Sequence, residues 1–377
     1  MGSFVDSPPF NLSACPEKPL ATSPAESLTE QLRALLPASP DAYAQKLDPI
    51  RDAVLVIRFD AAAYRAASFL DDRILGPQTQ GAWLPVGAVN EAVRGAAEGR
   101  IVHFIFHTGH VGSTLVSRLL DETDDVLSLR EPLPLRTLAD ALDVLPLPES
   151  LLSSAQFGSR LEMFLRLWGR GYADTRRIVL KATSSAGRMA VPLLERSPAS
   201  RAVYMSLRAE PYLAALLAGE NSPSDLRGHG PGRIRRLQSR LHTPLAPLHE
   251  LSIGELAAMS WLSESWAQHD AVESFRERLI GLDFDDFLAD VAAGMRTVLE
   301  HFGLTSDPPV ISRLMRSPVL TRYSKAPEYE YTPGTRAEVI AASRRANREE
   351  IRRGMAWLDR IAGSNSAVAA VVDRQRP

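Results

Sequence analysis

Apolar runs alternate with amphipathic stretches along most of this chain. The clearest run, residues 101–107, is apolar, β-branched and aromatic, which predicts a strand buried on both faces of a sheet. Comparable runs predict further strands at 126–129, 177–181, 201–207 and 279–284. Helical spacing follows at 115–120, 159–168, 188–194, 211–218, 252–269, 285–302 and 335–362. This alternation indicates an α/β fold, a doubly wound parallel sheet with helices on both faces and the strand at 102–107 at or near its middle.

The sequence divides into three parts. Residues 1–40 are rich in proline, serine and alanine, and we expect a mobile leader with a short helix at 25–36. Residues 41–95 predict an N-terminal elaboration with a strand at 54–59, a helix at 61–70 and a loop at 83–86. Residues 96–377 form the main α/β domain, in which 221–240 is predicted as a solvated, basic loop-helix insertion.

Composition narrows the classes of function. The 377 residues are 45% hydrophobic and 23% charged, as in an ordinary globular protein. The net charge of −2 predicts no general attraction to nucleic acid or to a membrane surface. A single cysteine, Cys15, excludes a disulfide framework and a cysteine metal cluster. Without a transmembrane run or a signal-peptide pattern, the expected location is the cytoplasm.

A glycine-containing turn joins the strand at 102–107 to the next helix. Backbone amides of such a turn and the positive end of the helix point at one place, which predicts an anion site. The turn is shorter than a Walker A loop and lacks its Gly-Lys-Ser/Thr ending, which disfavours ATP or GTP hydrolysis. Its residues are Gly109, His110, Val111, Gly112, Ser113 and Thr114.

Charged residues follow three other predicted strands. Glu131 ends the strand after the turn, Lys181 ends the next, and Arg208 comes directly after the strand at 201–207. In doubly wound sheets, ligands bind beyond the carboxyl ends of the strands. We therefore expect these three side chains and the turn to share one edge of the sheet.

Together these residues resemble the sulfotransferase family, which transfers a sulfuryl group from 3′-phosphoadenosine 5′-phosphosulfate (PAPS) to a hydroxyl or amine. The stretch Phe-Ile-Phe-His-Thr-Gly-His-Val-Gly-Ser-Thr-Leu at 104–115 resembles the family's 5′-phosphosulfate loop. The spacing from the loop to Glu131 resembles the tyrosylprotein branch, as does Lys181 at its strand end. Residues 204–208 resemble the 3′-phosphate strand, 282–304 the late strand and helix, and 323–328 the loop that closes on the cofactor.

The resemblance implies a role for each candidate. The turn at 109–114, with the hydroxyls of Ser113 and Thr114, would hold the 5′-phosphosulfate. Glu131 would be the general base, and Lys181 the main electrophilic group with His110 secondary. The 3′-phosphate would meet a set of polar and basic side chains and so distinguish PAPS from ATP. That set is Arg208, Ser324 and Lys325.

The implied cofactor is PAPS, leaving as adenosine 3′,5′-bisphosphate, with no metal. The implied partner is a small-molecule or peptide acceptor, and the sequence does not identify it. Two alternatives stay open. One is a kinase-like phosphotransferase, and the other is an inactive homologue that binds a nucleotide or a partner protein. The second alternative gains support because His110 replaces the family's usual lysine or arginine, and because the helix after Arg208 lacks the expected serine.

Overall fold

Eight strands are present in the computed structural model, which describes residues 24–95, 99–323 and 332–374. Three form an antiparallel sheet in the order β1-β2-β3, and five form a parallel sheet in the order β5-β6-β4-β7-β8. The strands are β1 (Ala42–Asp48), β2 (Ala53–Arg58), β3 (Gly81–Pro85), β4 (Val102–His107), β5 (Val126–Arg130), β6 (Arg177–Lys181), β7 (Ala202–Ser206) and β8 (Leu279–Asp283).

Sixteen α-helices lie within the described ranges. They are α1 (Pro24–Leu35), α2 (Ala61–Ala66), α3 (Val86–Arg94), α4 (Ser113–Asp121), α5 (Leu133–Val144), α6 (Ser154–Trp168), α7 (Ala190–Arg196), α8 (Ala209–Leu217), α9 (Ser222–Leu241), α10 (Ile253–Ser274), α11 (Phe284–Ala289), α12 (Val291–Phe302), α13 (Pro308–Met315), α14 (Pro333–Ala346), α15 (Arg348–Ser364) and α16 (Ser366–Arg374). Among these described helices, none has both the length and the apolar surface needed to cross a membrane.

The predicted α/β fold is confirmed, and β4 is the central strand of the parallel sheet. Its side chains alternate between two hydrophobic cores. Phe104 and Phe106 pack with residues of α5 and α6 on one face, while Ile105 packs with residues of α4, α8 and α10 on the other. Since all six residues of β4 are buried, the apolar run at 102–107 has the pattern of a strand covered on both faces.

Residues 24–95 add the helices α1, α2 and α3 and the antiparallel sheet. The helix predicted at 25–36 is present as α1, and Leu32 and Leu36 are buried in the core, so this part of the predicted leader is packed. The loop predicted at 83–86 is wrong. Trp83 pairs with Leu55 in the edge strand β3, and α3 follows at once. The proline of this stretch ends an edge strand, where a missing N–H costs no ladder hydrogen bond.

Three predicted helices are shorter or divided. The helix predicted at 61–70 ends at Ala66. The one at 285–302 divides into α11 and α12 at Asp290, whose carboxylate accepts a hydrogen bond from the Ala293 N–H and so begins a new helix. The one at 335–362 divides into α14 and α15 at Asn347, whose amide donates to the Leu217 carbonyl (3.2 Å).

The solvated insertion predicted at 221–240 is wrong in part. The stretch forms the continuous helix α9, packed on α10. Arg233 is buried and lies 3.7 Å from Glu264, and Arg236 pairs with Glu264 (3.1 Å) and Asp143 (2.9 Å). Paired arginines can be buried because the carboxylates compensate their charge. The ion pairs of Arg233 and Arg236 therefore connect α9 to α5 and α10.

Candidate functional site

The turn between β4 and α4 contains several residues with left-handed backbone conformations. Gly109, His110 and Gly112 have φ angles of 106°, 58° and 63°, all on the left-handed side. Gly112 is the N-cap residue of α4, and within the described residues no side chain caps this helix. The first amides of α4 therefore have no acceptor within the helix, which is the property that makes a helix N-terminus bind anions.

The two glycines of the turn are required for different reasons. A Cβ atom added at Gly112 would overlap the ring of Phe284, which packs directly on the turn. At Gly109 an added Cβ would lie 3.5 Å from Ser184 and 3.8 Å from the Tyr212 hydroxyl, so there the requirement is the φ angle alone. The Tyr212 hydroxyl in turn contacts the Ser260 hydroxyl (3.0 Å). The turn is therefore held between β8–α11 on one side and α8 and α10 on the other.

Two threonine hydroxyls of the turn are buried. Thr108 is 1% and Thr114 3% exposed, and neither Oγ1 atom has a hydrogen-bond partner among the described residues. A buried hydroxyl without a partner is costly unless a ligand satisfies it. These two atoms therefore fit a site whose ligand accepts hydrogen bonds.

The ends of β5 and β6 place Glu131 against Lys181. The Lys181 ammonium contacts Glu131 Oε1, and the Glu131 N–H donates to the Lys181 carbonyl (2.7 Å). The lysine side chain is 1% exposed and the glutamate side chain 15%. No described residue donates a hydrogen bond to Glu131 Oε2, so that oxygen is available to a ligand.

Glu131 has a left-handed φ angle of 54°. Among the described residues only four non-glycine positions have positive φ, and His110 and Glu131 are two of them. Such conformations cost free energy and concentrate at functional sites, where the surrounding structure imposes them. The two strained positions coincide with two of the catalytic residues predicted from the sequence.

The remaining predicted site residues do not join the Glu131–Lys181 pair. His110 is exposed at the tip of the turn. Arg208 comes two residues after β7 and lies 3.9 Å from Asp283, with its side chain 36% exposed. It is near the sheet edge but does not line the cavity described next. Ser324 and Lys325, with the rest of 324–328 from the segment that resembles the closing loop, lie outside the described residues.

A cavity of about 430 Å³ opens beside the turn and reaches the C-terminal helices. The turn from His110 to Thr114 forms one wall, and apolar residues of α11, α13 and α14 form much of the rest. Arg322 and Arg336 add two guanidinium groups. Arg336 pairs with Asp285 (2.8 Å) and lies 4.9 Å from the centre of the Phe284 ring.

Sequence reasoning missed Arg322, Arg336 and Phe284 as site residues. Arg322 directly precedes the segment that resembles the closing loop, so its position in the sequence was a usable signal. Arg336 and Phe284 lie in the first turns of helices, where a sequence pattern alone does not distinguish a packing residue from a ligand-binding one.

No protein-family model and no curated protein sequence matches this chain. Several solved structures are similar to it. A sulfotransferase domain from the curacin biosynthetic pathway has 13% identity, covers 62% of this chain and 84% of its own, and has a TM-score of 0.37. A sulfotransferase from Mycobacterium avium has 13% identity, coverages of 66% and 77%, and a TM-score of 0.37. One from Alicyclobacillus acidocaldarius has 16% identity, coverages of 69% and 99%, and a TM-score of 0.36. Such distant likenesses do not establish the family, so the function proposed below rests on the site itself.

Proposed function

We propose that this protein is a sulfotransferase that moves a sulfuryl group from PAPS to a hydroxyl or amine of an acceptor. One observation carries the proposal. An anion-binding turn and a buried lysine–glutamate pair lie at the carboxyl ends of the strands β4, β5 and β6, which are neighbours in one parallel sheet. The turn supplies donors for an anion, and the pair supplies a base and a cation beside it.

The residues of the turn and the cavity fit the nucleotide. Backbone amides at 109–114, with the unpartnered hydroxyls of Thr108 and Thr114, would hold the 5′-phosphosulfate. The adjoining apolar cavity has room for an adenosine, and Arg322 and Arg336 line it. Arginine forks suit phosphate groups because two parallel N–H donors meet two oxygens.

Bound PAPS would supply an activated sulfuryl group, whose transfer depends on in-line positioning and on positive charge near the departing nucleotide. Glu131 would accept the proton of the acceptor hydroxyl at Oε2, while Lys181 holds the carboxylate through Oε1. Because Lys181 is buried, its ammonium interacts with charges at the site through a medium of low dielectric constant, where electrostatic stabilisation is strong.

Titration calorimetry with three nucleotides, with ATP tried both with and without magnesium, tests this function. Adenosine 3′,5′-bisphosphate should bind without magnesium and about tenfold or more tighter than AMP, because a second phosphate adds charge-assisted hydrogen bonds. ATP should bind more weakly, with or without magnesium.

Two other results of this calorimetry would favour a different function. Magnesium-dependent ATP binding that exceeds binding of the bisphosphate would favour a kinase-like phosphotransferase. Failure of every nucleotide to bind would favour a protein that recognises a partner rather than a cofactor.

A further inference from the structure

A buried arginine connects the N-terminal antiparallel unit to the site. Arg130, the last residue of β5, is 1% exposed and pairs with Asp121 at the end of α4. Its guanidinium also donates hydrogen bonds to three carbonyl groups in and just after α2. The carbonyls belong to Tyr64 (2.5 Å), Arg65 (3.0 Å) and Ala67 (2.7 Å).

The chain that follows α2 is hydrogen-bonded on both sides of Glu131. The Leu70 N–H donates to the Arg130 carbonyl (2.7 Å), and the Leu133 N–H donates to the Leu70 carbonyl (3.2 Å). Residues 68–74 therefore form a fixed wall beside the proposed base. We call residues 68–74 the acceptor wall.

The acceptor wall brings an aromatic ring and a guanidinium to the lysine–glutamate pair. The Lys181 ammonium lies 5.8 Å from the centre of the Phe69 ring. The Arg73 guanidinium lies 3.6 Å from the centre of the same ring. Arg73 is exposed, so its charge faces any molecule that approaches Glu131 from this side.

Charged side chains of both signs lie around the acceptor wall. Arg73 makes a two-point contact with Asp71 (2.8 and 2.5 Å). Partial burial raises the pKa of Asp71, but hydrogen bonds from Arg73 and the nearby charge of Arg136 lower it below its usual range. Arg136 is exposed and has no ion-pair partner among the described residues, while the acid Asp72 is occupied by Lys46 (3.1 Å). The Asp71 carboxylate therefore interacts with both Arg73 and Arg136, and Arg73 also interacts with the charge of Glu131.

We propose that the acceptor is a hydroxyl compound carrying a carboxylate, and that Arg73 and Arg136 bind this carboxylate while Glu131 faces the hydroxyl. This inference rests on the proposed sulfotransferase function. Phe69 excludes water from one side of the lysine–glutamate pair, and the two arginines determine which acceptors are used.

Matched acceptors that differ only in this charge test the inference. The probes are 4-hydroxyphenylacetate against 4-hydroxyphenylacetamide, and glucuronate against glucuronamide, with radiolabelled PAPS as donor. The full-length protein should favour an acid over its neutral partner by about tenfold or more in kcat/KM. Arg73→Met and Arg136→Met should each reduce this preference through KM, and the double variant should abolish it. For the neutral compounds kcat/KM should fall less than for the acids, so the acid-to-neutral ratio is the quantity to compare.

Arg65→Met is the matched control, since Arg65 is an exposed arginine on α2 of the same unit, and it should keep the wild-type preference. Calorimetry with the protein saturated with adenosine 3′,5′-bisphosphate gives a second reading on the same compounds. If the bisphosphate does not bind, the proposed function itself fails. If it binds and the acids are neither bound nor used better than the neutral compounds, or if the preference survives in the double variant, the inference about Arg73 and Arg136 is wrong.

Discussion

Glu131 and Lys181 are joined twice, once through their side chains and once through the Glu131 N–H and the Lys181 carbonyl. The backbone bond extends the β5–β6 pairing by one residue, just where Glu131 turns to its left-handed φ of 54°. The carboxylate is therefore fixed against the ammonium by main chain as well as by charge. A base held in this way is pre-organised before any acceptor arrives.

The double contact predicts non-additive effects on stability. Removal of one partner from a buried ion pair leaves an uncompensated charge, so Lys181→Met should lower the free energy of unfolding by about 3–5 kcal/mol. Adding Glu131→Gln to that variant should recover part of the loss, because the remaining group is then neutral. Urea denaturation of the two single variants and the double variant measures this coupling. Strictly additive losses would mean that the two side chains do not form the pair in solution.

Gly112 should tolerate substitution less well than another left-handed glycine. Gly112→Ala meets both the φ of 63° and the Phe284 ring, which predicts a loss of about 2–4 kcal/mol of unfolding free energy and weaker nucleotide binding. Gly303 has a φ of 65° with no atom near an added Cβ, so Gly303→Ala should cost only about 1 kcal/mol. Denaturation and bisphosphate titration of both variants make the comparison. If both variants lost the same unfolding free energy, contact with Phe284 would not explain the cost at Gly112.

Arg208 remains a predicted ligand for the 3′-phosphate although it lies outside the cavity. Arg208→Ala should weaken binding of adenosine 3′,5′-bisphosphate about tenfold or more, which corresponds to the loss of one charge-assisted pair of about 1.5–3 kcal/mol. Binding of AMP should hardly change. Calorimetry with the two nucleotides checks this, with Arg336→Ala alongside because Arg336 lines the cavity. An unchanged bisphosphate affinity in Arg208→Ala, with a loss in Arg336→Ala, would transfer the role to Arg336.

Because the pKa of His103 is lowered, we expect the protein to lose stability in mild acid. Burial, and the positive charges of Arg177 and Arg201, lower the pKa of His103 to about 4. Between about pH 6.5 and 4 the unfolded chain protonates this imidazole and the folded protein does not, so the unfolding free energy should fall by about 3 kcal/mol as the pH drops through this range. His103→Asn can still accept the Arg201 N–H bond (3.0 Å), and its stability should depend less on pH. Urea melts of both proteins from pH 7 to 4 test this, and identical pH slopes would contradict the assignment.

The parallel sheet could be predicted because its inner strands β4, β6 and β7 are buried on both faces. Apolar runs at 104–106 and 178–180 lie at the centre of β4 and β6. The edge strand β3 was missed because it is short, with a proline at its end and partners that are distant in sequence. Its stability comes from pairing with β2, and a local pattern does not contain that information.

Part of the site could be predicted for a related reason. Glu131 and Lys181 end adjacent parallel strands, so the topology alone brings them together. Phe69, Arg73 and Arg136 could not be placed in the same way. The position of the acceptor wall depends on Arg130, a buried arginine whose hydrogen bonds to the chain after α2 have no periodic signature. Tertiary hydrogen bonding, rather than propensity, fixes that side of the site.

The most direct measurement is transfer of radiolabelled sulfate from PAPS to the hydroxyl acids named above, by wild type and by Glu131→Gln. Glu131→Gln keeps the shape of the side chain and removes the base, so turnover should fall about a hundredfold or more. Its affinity for adenosine 3′,5′-bisphosphate should stay close to that of wild type, because the turn and the cavity are intact. This account predicts that the wild type labels the acceptor and that Glu131→Gln labels almost none. It also predicts that both proteins bind the nucleotide equally well. Full transfer by Glu131→Gln, or labelling of the acceptor from ATP instead of PAPS, would contradict it.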